Sequence, residues 1–297
     1  MERTVPAWVR DEMEVTAHWV RAIQTEPKLW LRARLGQGEA LAKRLGQTGG
    51  VSTTSDPVSL PDAVLYEGDE DLFRTPEFHA GEFEIQDIAS QAVGVLCDPQ
   101  PGETWWDACA GEGGKTLHLS DLMRNKGLIW ASDRSAPRIQ SFKRRAARAK
   151  CFNYRAAPWD GGAKLPTKTK FDGVLLDAPC SGLGTWQRNP HARWTTTPQD
   201  VRELAEVQKN LLLHAAAGVK PGGKLIYAAC TLTRAETSGV VDWFNGQASG
   251  LEPLALPVSA APSQPTPASA TITLLPQEFG GNGMFIAAWR KSATAGV

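Results

Sequence analysis

The sequence has no excess of charge of either sign, since 32 Lys and Arg residues balance 32 Asp and Glu residues over 297 positions. A chain without net charge has no overall field that attracts a polyanion, so a nucleic-acid surface has to come from a local cluster of cations. One such cluster runs from Arg134 to Arg155, where eight Lys and Arg residues occur without an acidic residue. Taken alone, this run also fits the solvated face of a helix.

Cysteines are few and are not spaced in pairs. The sequence has five of them: Cys97, Cys109, Cys151, Cys180 and Cys230. They form no CxxC and no paired Cys/His spacing, which argues against a disulfide framework and against a zinc site. We therefore expect reduced thiols, no metal and a cytoplasmic protein.

Long apolar runs are also missing. No stretch approaches the roughly 18 apolar residues of a membrane span, and the first residues are polar and acidic, unlike a signal peptide. Because 42% of the residues are hydrophobic, the chain can still bury a large core. We expect a monomeric globular protein without a membrane partner.

Apolar strands alternate with helical stretches from about residue 81 onward, a pattern typical of parallel βαβ units. It predicts strands at 104–110, 127–133, 151–157, 171–179, 224–230 and 283–289, and helices at 115–125, 136–149, 199–217 and 235–246. The predicted fold class is α/β, with a small α/β appendage over 1–80 and a main domain over 81–297. The Pro/Ala/Ser-rich stretch 254–271 is predicted to be a flexible loop.

A glycine-rich turn follows the first strand of the main domain, in DACAGEGGKT. Glycines let a ligand approach the backbone closely, and the next helix offers free N–H groups to an anionic group. The turn does not match GxGxxG, which argues against a dinucleotide. Asp133, Asp160 and Asp177 follow the next three strands, where acids can bind ribose hydroxyls or an adenine amino group. This combination suits S-adenosylmethionine.

Four segments resemble successive motifs of the RsmB/Nop/Sun (NSUN) family of RNA cytosine-C5 methyltransferases: DACAGEGGKT, DAPCSGLGTWQRNP, VKPGGKLIYAACT and GGNGMFIAAWRK. The likeness covers most of the chain from about residue 5 to 291, and its most specific element is the pair Pro-Cys180 and Cys230-Thr. Glu112 stands where the family has proline, and Ala229 where it has Ser or Thr.

The resemblance implies a Rossmann-like class I S-adenosylmethionine methyltransferase sheet, S-adenosylmethionine as cofactor and RNA as substrate, with ribosomal RNA ahead of tRNA. Binding of that RNA is expected of the appendage over 1–80 and of the basic run. The predicted cofactor-binding residues are Cys109, Ala110, Gly111, Glu112, Gly113, Gly114, Lys115, Asp133, Arg138, Asp160 and Asp177.

Methylation of cytosine C5 needs a specific set of groups. A thiolate adds to C6 to break the aromaticity of the ring, C5 attacks the sulfonium methyl group, and a base removes the C5 proton before the thiol leaves. The target cytosine must also be withdrawn from its stack. If the strands before Cys180 and Cys230 are neighbours, their ends lie roughly 5 to 10 Å apart, and both thiols can share a pocket with Asp177.

Chemistry alone does not decide which cysteine attacks. Cys180 follows a proline, as does the nucleophile of DNA C5-methyltransferases. The resemblance to the RNA family instead implies Cys230 as the nucleophile, with Cys180 assisting breakdown of the adduct and Asp177 completing the catalytic set.

Arginines and tryptophans beyond the strand at 171–179 suit single-stranded or flipped RNA, because guanidinium groups bind phosphate and indoles stack on bases. The predicted RNA-binding residues are Arg144, Arg145, Arg188, Arg193 and Trp194. Two other functions stay open: a tRNA cytosine-C5 methyltransferase, and a non-catalytic RNA-binding factor that retains the methyltransferase fold.

Overall fold

The structure is a computed structural model that describes residues 4–47, 58–247, 250–257 and 269–293. Its α-helices are α1 (Val9–Glu12), α2 (Ala17–Ala22), α3 (Gly38–Arg44), α4 (Pro76–His79), α5 (Ile88–Cys97), α6 (Gly114–Leu122), α7 (Ala136–Arg148), α8 (Ala192–Thr195), α9 (Pro198–Ala216), α10 (Ser238–Gln247) and α11 (Pro276–Phe279). Its strands are β1 (Leu29–Ala33), β2 (Ala63–Tyr66), β3 (Phe83–Ile85), β4 (Thr104–Asp107), β5 (Leu128–Asp133), β6 (Tyr154–Pro158), β7 (Phe171–Asp177), β8 (Val219–Ala229), β9 (Leu251–Pro253), β10 (Thr271–Leu274) and β11 (Met284–Lys291).

Eight strands form the main sheet, in the order β10-β11-β8-β7-β4-β5-β6 with β9 paired to β11. The neighbours from β8 to β6 are parallel, whereas the pairs that include β11 are antiparallel. The strand order reverses between β4 and β7, which is the switch point where open α/β sheets bind ligands. The predicted Rossmann-like α/β fold is confirmed.

Strand β4 is buried on both faces of this sheet. Neighbouring side chains of a strand point to opposite faces, and the indoles of Trp105 and Trp106 are both fully buried. Trp105 lies in a cluster with Ala92 of α5 and Leu119 of α6, whereas Trp106 lies in a cluster with Leu212 of α9. Helices thus cover both sides, as a parallel sheet requires, and only the strand ends remain open to ligands.

A second sheet contains three antiparallel strands in the order β2-β1-β3. Strand β3 starts at Phe83, so the predicted boundary at residue 80 falls too early: backbone pairing with β1 keeps β3 in the N-terminal unit. We place the boundary between Ile85 and α5. Most of the predicted loop 254–271 lies outside the described residues, and its last residue, Thr271, already begins β10.

Helices α1 and α2 pack on the loop that follows Cys180. Val9 and Trp19 share a buried cluster with Trp186 and Leu232. The chain beyond β8 is held as well, because the backbone N–H of Arg234 donates to the carbonyl of Glu12 at 3.0 Å. The N-terminal segment therefore supports the two loops that carry the predicted catalytic cysteines.

Candidate active site

The carboxyl ends of the parallel strands open into one cavity of about 390 Å³. Eight of the predicted cofactor residues line it: Cys109, Ala110, Gly111, Glu112, Asp133, Arg138, Asp160 and Asp177. The other three lie outside the lining, since Gly113 and Gly114 lead into α6 and the Lys115 side chain is directed to Asp177. Cys180 and Cys230 line the same cavity.

The glycine turn needs two of its glycines for their conformation. Gly111 and Gly113 have φ angles of +56° and +83°, a region that L side chains rarely adopt. A Cβ at Gly113 would also lie 1.9 Å from a ring carbon of Phe142 in α7. The turn can therefore pack closely on α7 and present its backbone to the cavity.

Asp133 fixes this turn from the end of β5. One carboxylate oxygen accepts from the backbone N–H of Gly111 at 2.9 Å, and the other accepts from that of Ser135 at 2.7 Å. Each oxygen keeps a further lone pair for a ligand hydroxyl. Asp160, at the end of the next strand, is exposed and accepts from the N–H of Gly162 at 2.9 Å.

Lys115 and Asp177 form an ion pair of 2.6 Å at the base of the cavity, with side chains 10% and 29% exposed. Burial lowers the pKa of Lys115, but the adjacent charge of Asp177 outweighs it, so that the pKa is raised. The lysine therefore stays charged and holds the Asp177 side chain in place through the ion pair. The side-chain oxygens of Asp177 can accept hydrogen bonds from a ligand.

The two predicted catalytic thiols are in contact. Residues Asp177 and Ala228 are opposite each other in the parallel pair of β7 and β8, and the Sγ atoms of Cys180 and Cys230 are 3.1 Å apart. The hydrogen bond between the two thiols lowers the pKa of Cys230 and raises that of Cys180. Of the two, Cys230 is thus the better candidate for a thiolate nucleophile.

The other cysteines lack this arrangement. Burial raises the pKa of Cys97, Cys109 and Cys151. Cys97 and Cys151 are buried, in agreement with a packing role.

Glu236 holds both cysteine loops and was missed as a site residue by the sequence analysis. Its fully buried carboxylate accepts from the backbone N–H of Ser181 at 2.8 Å and from the hydroxyls of Ser181, Thr231 and Thr233. Gln208 of α9 donates to the same carboxylate at 2.9 Å. The sequence signal was a hydroxyl residue directly after each of these two cysteines, Ser181 and Thr231, with Glu236 five residues after Thr231.

A close backbone contact brings the same loops together. The N–H of Gly184 donates to the carbonyl of Cys230 at 3.0 Å, and the N–H of Gly283 donates to the carbonyl of Gly184 at 2.8 Å. A Cβ at Gly184 would lie 2.1 Å from the backbone carbonyl oxygen of Gly283. The glycines of GLG and GGNG therefore allow a contact that no larger residue permits.

The predicted RNA-binding residues are in different environments. Arg144 and Trp194 are exposed, the indole by 59%. Arg145 pairs with Glu84, and Arg188 pairs with Asp87 at 2.8 Å. Arg193 is only 7% exposed and donates to the backbone carbonyls of Thr4 and Ile23, at 3.3 and 3.0 Å. Arg193 therefore anchors the N-terminal segment and does not present its guanidinium to a ligand, contrary to the prediction.

Within the described ranges, no group of three or more His, Cys, Asp or Glu side chains is arranged to hold a metal ion. None of the helices in that part of the chain combines the length and apolar character that crossing a bilayer requires.

Comparison with known proteins places this chain in a family. The family model for 16S rRNA methyltransferase RsmB/F matches residues 94–290. The probable ribosomal RNA small subunit methyltransferase B of Bacillus subtilis is 36% identical over 218 residues, which are 72% of this chain and 49% of that protein. The human 28S rRNA (cytosine(4447)-C(5))-methyltransferase is 35% identical over 184 residues, which are 61% of this chain and 23% of that protein.

A solved structure extends the comparison to the fold. NSun6 from Pyrococcus horikoshii, crystallised with SFG, has a TM-score of 0.67 at 27% identity over 80% of this chain and 59% of that one. The chain spans about half the length of the curated relatives it matches. Because the family model matches more than half of the chain, this protein belongs to the RsmB/F methyltransferase family.

Proposed function

We propose that this protein transfers a methyl group from S-adenosylmethionine to C5 of a cytosine in ribosomal RNA, through a covalent adduct at C6. One observation supports this most directly: the Cys180 and Cys230 thiols lie 3.1 Å apart in a cavity that the strand-end acids also line. The curated relatives named for ribosomal RNA favour that class of RNA.

The cavity fits the proposed cofactor in size and in chemistry. Its volume of about 390 Å³ lies in the range of roughly 300–1,000 Å³ typical of small-molecule sites. Asp133 would accept from the ribose hydroxyls, and Asp160 from the adenine amino group. When bound, S-adenosylmethionine supplies an electrophilic methyl group. The NSun6 structure with SFG, an S-adenosylmethionine analogue, supports the same ligand class.

Cys230 would begin the reaction. Its thiolate adds to C6, the Sγ–C6 bond forms, and the ring electrons move toward N3, which takes up a proton. The Asp177 carboxylate accepts hydrogen bonds from the N4 amino group and from the protonated N3, which stabilises the adduct. The ion pair with Lys115 fixes the position of the Asp177 side chain for this role.

Cys180 would act after C5 has taken the methyl group. A base removes the C5 proton, its electron pair re-forms the C5=C6 double bond, and the Sγ–C6 bond breaks with its electron pair returning to Cys230. N3 then releases to solvent the proton that it took up when the adduct formed. Cys180 touches Cys230 and is thus the side chain best placed to assist this proton transfer.

The covalent step can be tested by trapping. The 297-residue chain is incubated with radiolabelled S-adenosylmethionine and a small-subunit rRNA transcript, and denaturing gels then report a protein–RNA band. We expect Cys230→Ala to lose both methyl transfer and the band, because no adduct forms. Cys180→Ala should methylate once and stay attached to its product, which gives a strong band.

Other outcomes would reject parts of the proposal. A band in Cys230→Ala and none in Cys180→Ala would make Cys180 the nucleophile. Methylation of a tRNA transcript and not of the rRNA transcript would identify tRNA as the substrate. Binding of RNA by the wild type without methyl transfer would indicate a non-catalytic factor.

A further inference from the structure

The side chain of Arg145 joins the glycine turn to the N-terminal sheet. Its Nε and Nη2 atoms donate to one carboxylate oxygen of Glu84 in β3, at 3.2 and 2.8 Å. Its Nη1 atom donates to the backbone carbonyl of Glu112 at 3.1 Å, and the Glu112 carboxylate lies 4.0 Å away. The Glu84 carboxylate is 4% exposed, so this arginine has a buried, charged anchor.

The Glu112 carbonyl depends on this contact. Within the described residues, no backbone N–H donates to it, because the turn closes through the N–H of Gly113 and the carbonyl of Ala110. The flanking Gly111 and Gly113 both have positive φ angles, and glycine has the largest backbone freedom to lose. A turn of this composition needs an external contact to stay in one conformation.

We propose that Arg145 is a positioning residue for cofactor binding, which couples the conformation of the turn to the N-terminal sheet through Glu84. Arg145 does not line the cavity, whereas Gly111 and Glu112 do. Its effect is therefore indirect: it holds the turn in the conformation that binds the cofactor. The inference rests on the proposed function only in taking S-adenosylmethionine as that cofactor.

Arg148 offers a matched control one helical turn away. It pairs with the other oxygen of the same Glu84 carboxylate and lies over the Phe78 ring, 3.7 Å from its centroid. No contact joins it to the glycine turn among the described residues. Replacing either arginine removes an ion pair to Glu84, so a general loss of stability should affect both variants alike, whereas only Arg145→Ala frees the turn.

The experiment is calorimetric titration of the full chain with S-adenosylmethionine. We expect Arg145→Ala to weaken binding roughly tenfold, within the usual range of coupling between sites, and Arg148→Ala to leave the affinity near that of the wild type. In methyl-transfer assays, Arg145→Ala should raise the KM for the cofactor and leave kcat at saturating cofactor unchanged. Arg145→Lys keeps the charge but lacks the planar fork that reaches both partners, and it replaces Arg145→Ala if the latter does not fold.

A second substitution should restore the affinity. The N–H of Glu112 makes no hydrogen bond in the described part of the chain, and its φ angle is not positive. Glu112→Pro would therefore restrict the turn without loss of a bond. We expect it to recover most of the affinity in the Arg145→Ala background, and the Glu112→Pro single variant gives the reference affinity for that comparison.

The outcomes separate the two proposals. Equal affinities for Arg145→Ala and Arg148→Ala, or a double variant as weak as Arg145→Ala, would overturn the positioning role. Absence of binding by the wild type would instead reject S-adenosylmethionine as the cofactor.

Discussion

The loops that carry the thiols and the turn that opens the cofactor cavity are held in different ways. Glu236 joins both thiol loops from the interior, through several hydrogen bonds to one fully buried carboxylate. The glycine turn has one acid on its cavity side, Asp133, and one partly exposed arginine behind it, Arg145. We infer that the reacting pair is fixed before substrate binds, whereas the cofactor turn can be adjusted by single contacts.

This difference predicts that changes on the thiol side lower the rate of the chemical step, and that changes on the turn side lower cofactor affinity. The tests below run from the largest expected effect to the smallest.

Glu236→Gln should cause the largest loss. Hydrogen bonds to a charged group contribute about 1.5–3 kcal/mol each, and misplacement of the thiols reduces the fraction of complexes in a reactive geometry. We expect kcat to fall on the order of a hundredfold, a barrier increase of about 2.7 kcal/mol, with a smaller change in the KM for S-adenosylmethionine. Single-turnover methylation measures this directly.

Tyr227→Phe is the control for that variant. The Tyr227 hydroxyl lies 2.7 Å from the backbone carbonyl of Glu236 and 3.0 Å from the side-chain oxygen of Gln208. Among the described residues it makes no hydrogen bond to the Glu236 carboxylate or to either thiol. Its loss should lower thermal stability and leave kcat nearly unchanged. If Tyr227→Phe slows the reaction as much as Glu236→Gln does, the loss of rate comes from a general disturbance of the buried core and not from the hydrogen bonds of the Glu236 carboxylate.

Asp133→Ala should act on affinity. The variant loses the acceptor for Gly111 and the proposed acceptor for the ribose hydroxyls. We expect the Kd for S-adenosylmethionine to rise about ten- to a hundredfold, from roughly 1.5–3 kcal/mol for a charge-assisted hydrogen bond. Calorimetry on Asp160→Ala, whose acid is exposed, should show a smaller change, and an unchanged Kd for Asp133→Ala would remove this residue from the site.

The contact between the thiols should appear in their pH dependence. A lowered pKa places more of Cys230 in the thiolate form at a given pH, and the thiolate is the species that alkylates. The iodoacetamide reaction of Cys230 should therefore reach its plateau at a lower pH than an ordinary thiol. Cys180→Ala removes the hydrogen bond between the thiols, so the midpoint should move to higher pH, as measured by mass spectrometry of the modified peptide. A midpoint that stays in place would show that Cys180 does not stabilise the thiolate.

The sequence predicted best what depends on local pattern. The strand-end acids and the two cysteines could be expected to meet because parallel strands bring their carboxyl ends to one edge, and they line one cavity. That Cys230 is the nucleophile stays a prediction, which the resemblance implies. Even the bounds of α7, expected at 136–149, differ by one residue from Ala136–Arg148. These features can be predicted from the periodicity of apolar residues along the chain and from the order of its strands and helices.

Assignments that depend on distant partners could not be made in this way. Arg145, Arg188 and Arg193 were all assigned to RNA, but their partners Glu84, Asp87 and Thr4 lie 61, 101 and 189 residues away in sequence. Whether an arginine is free or paired is decided by tertiary packing, which a basic run does not encode. Glu236 was missed for the same reason, since its partner Ser181 belongs to another loop.

The smallest expected effect is on RNA binding by the exposed part of α7. Lys143 and Arg144 are exposed and have no ion pair among the described residues, so they remain candidates for phosphate contacts. Each such contact contributes about 0.7 to the slope of log affinity against log salt for single-stranded RNA. The double variant Lys143→Ala/Arg144→Ala should therefore flatten that slope by about 1.4, measured by fluorescence anisotropy at several salt concentrations. The control Lys164→Ala/Lys168→Ala removes the same charge from the loop between β6 and β7, and it should leave the slope unchanged. Equal slopes for the α7 variant and the wild type would show that these two residues do not contact RNA phosphates. The basic run would then be the solvated face of a helix, the alternative that its sequence also allows.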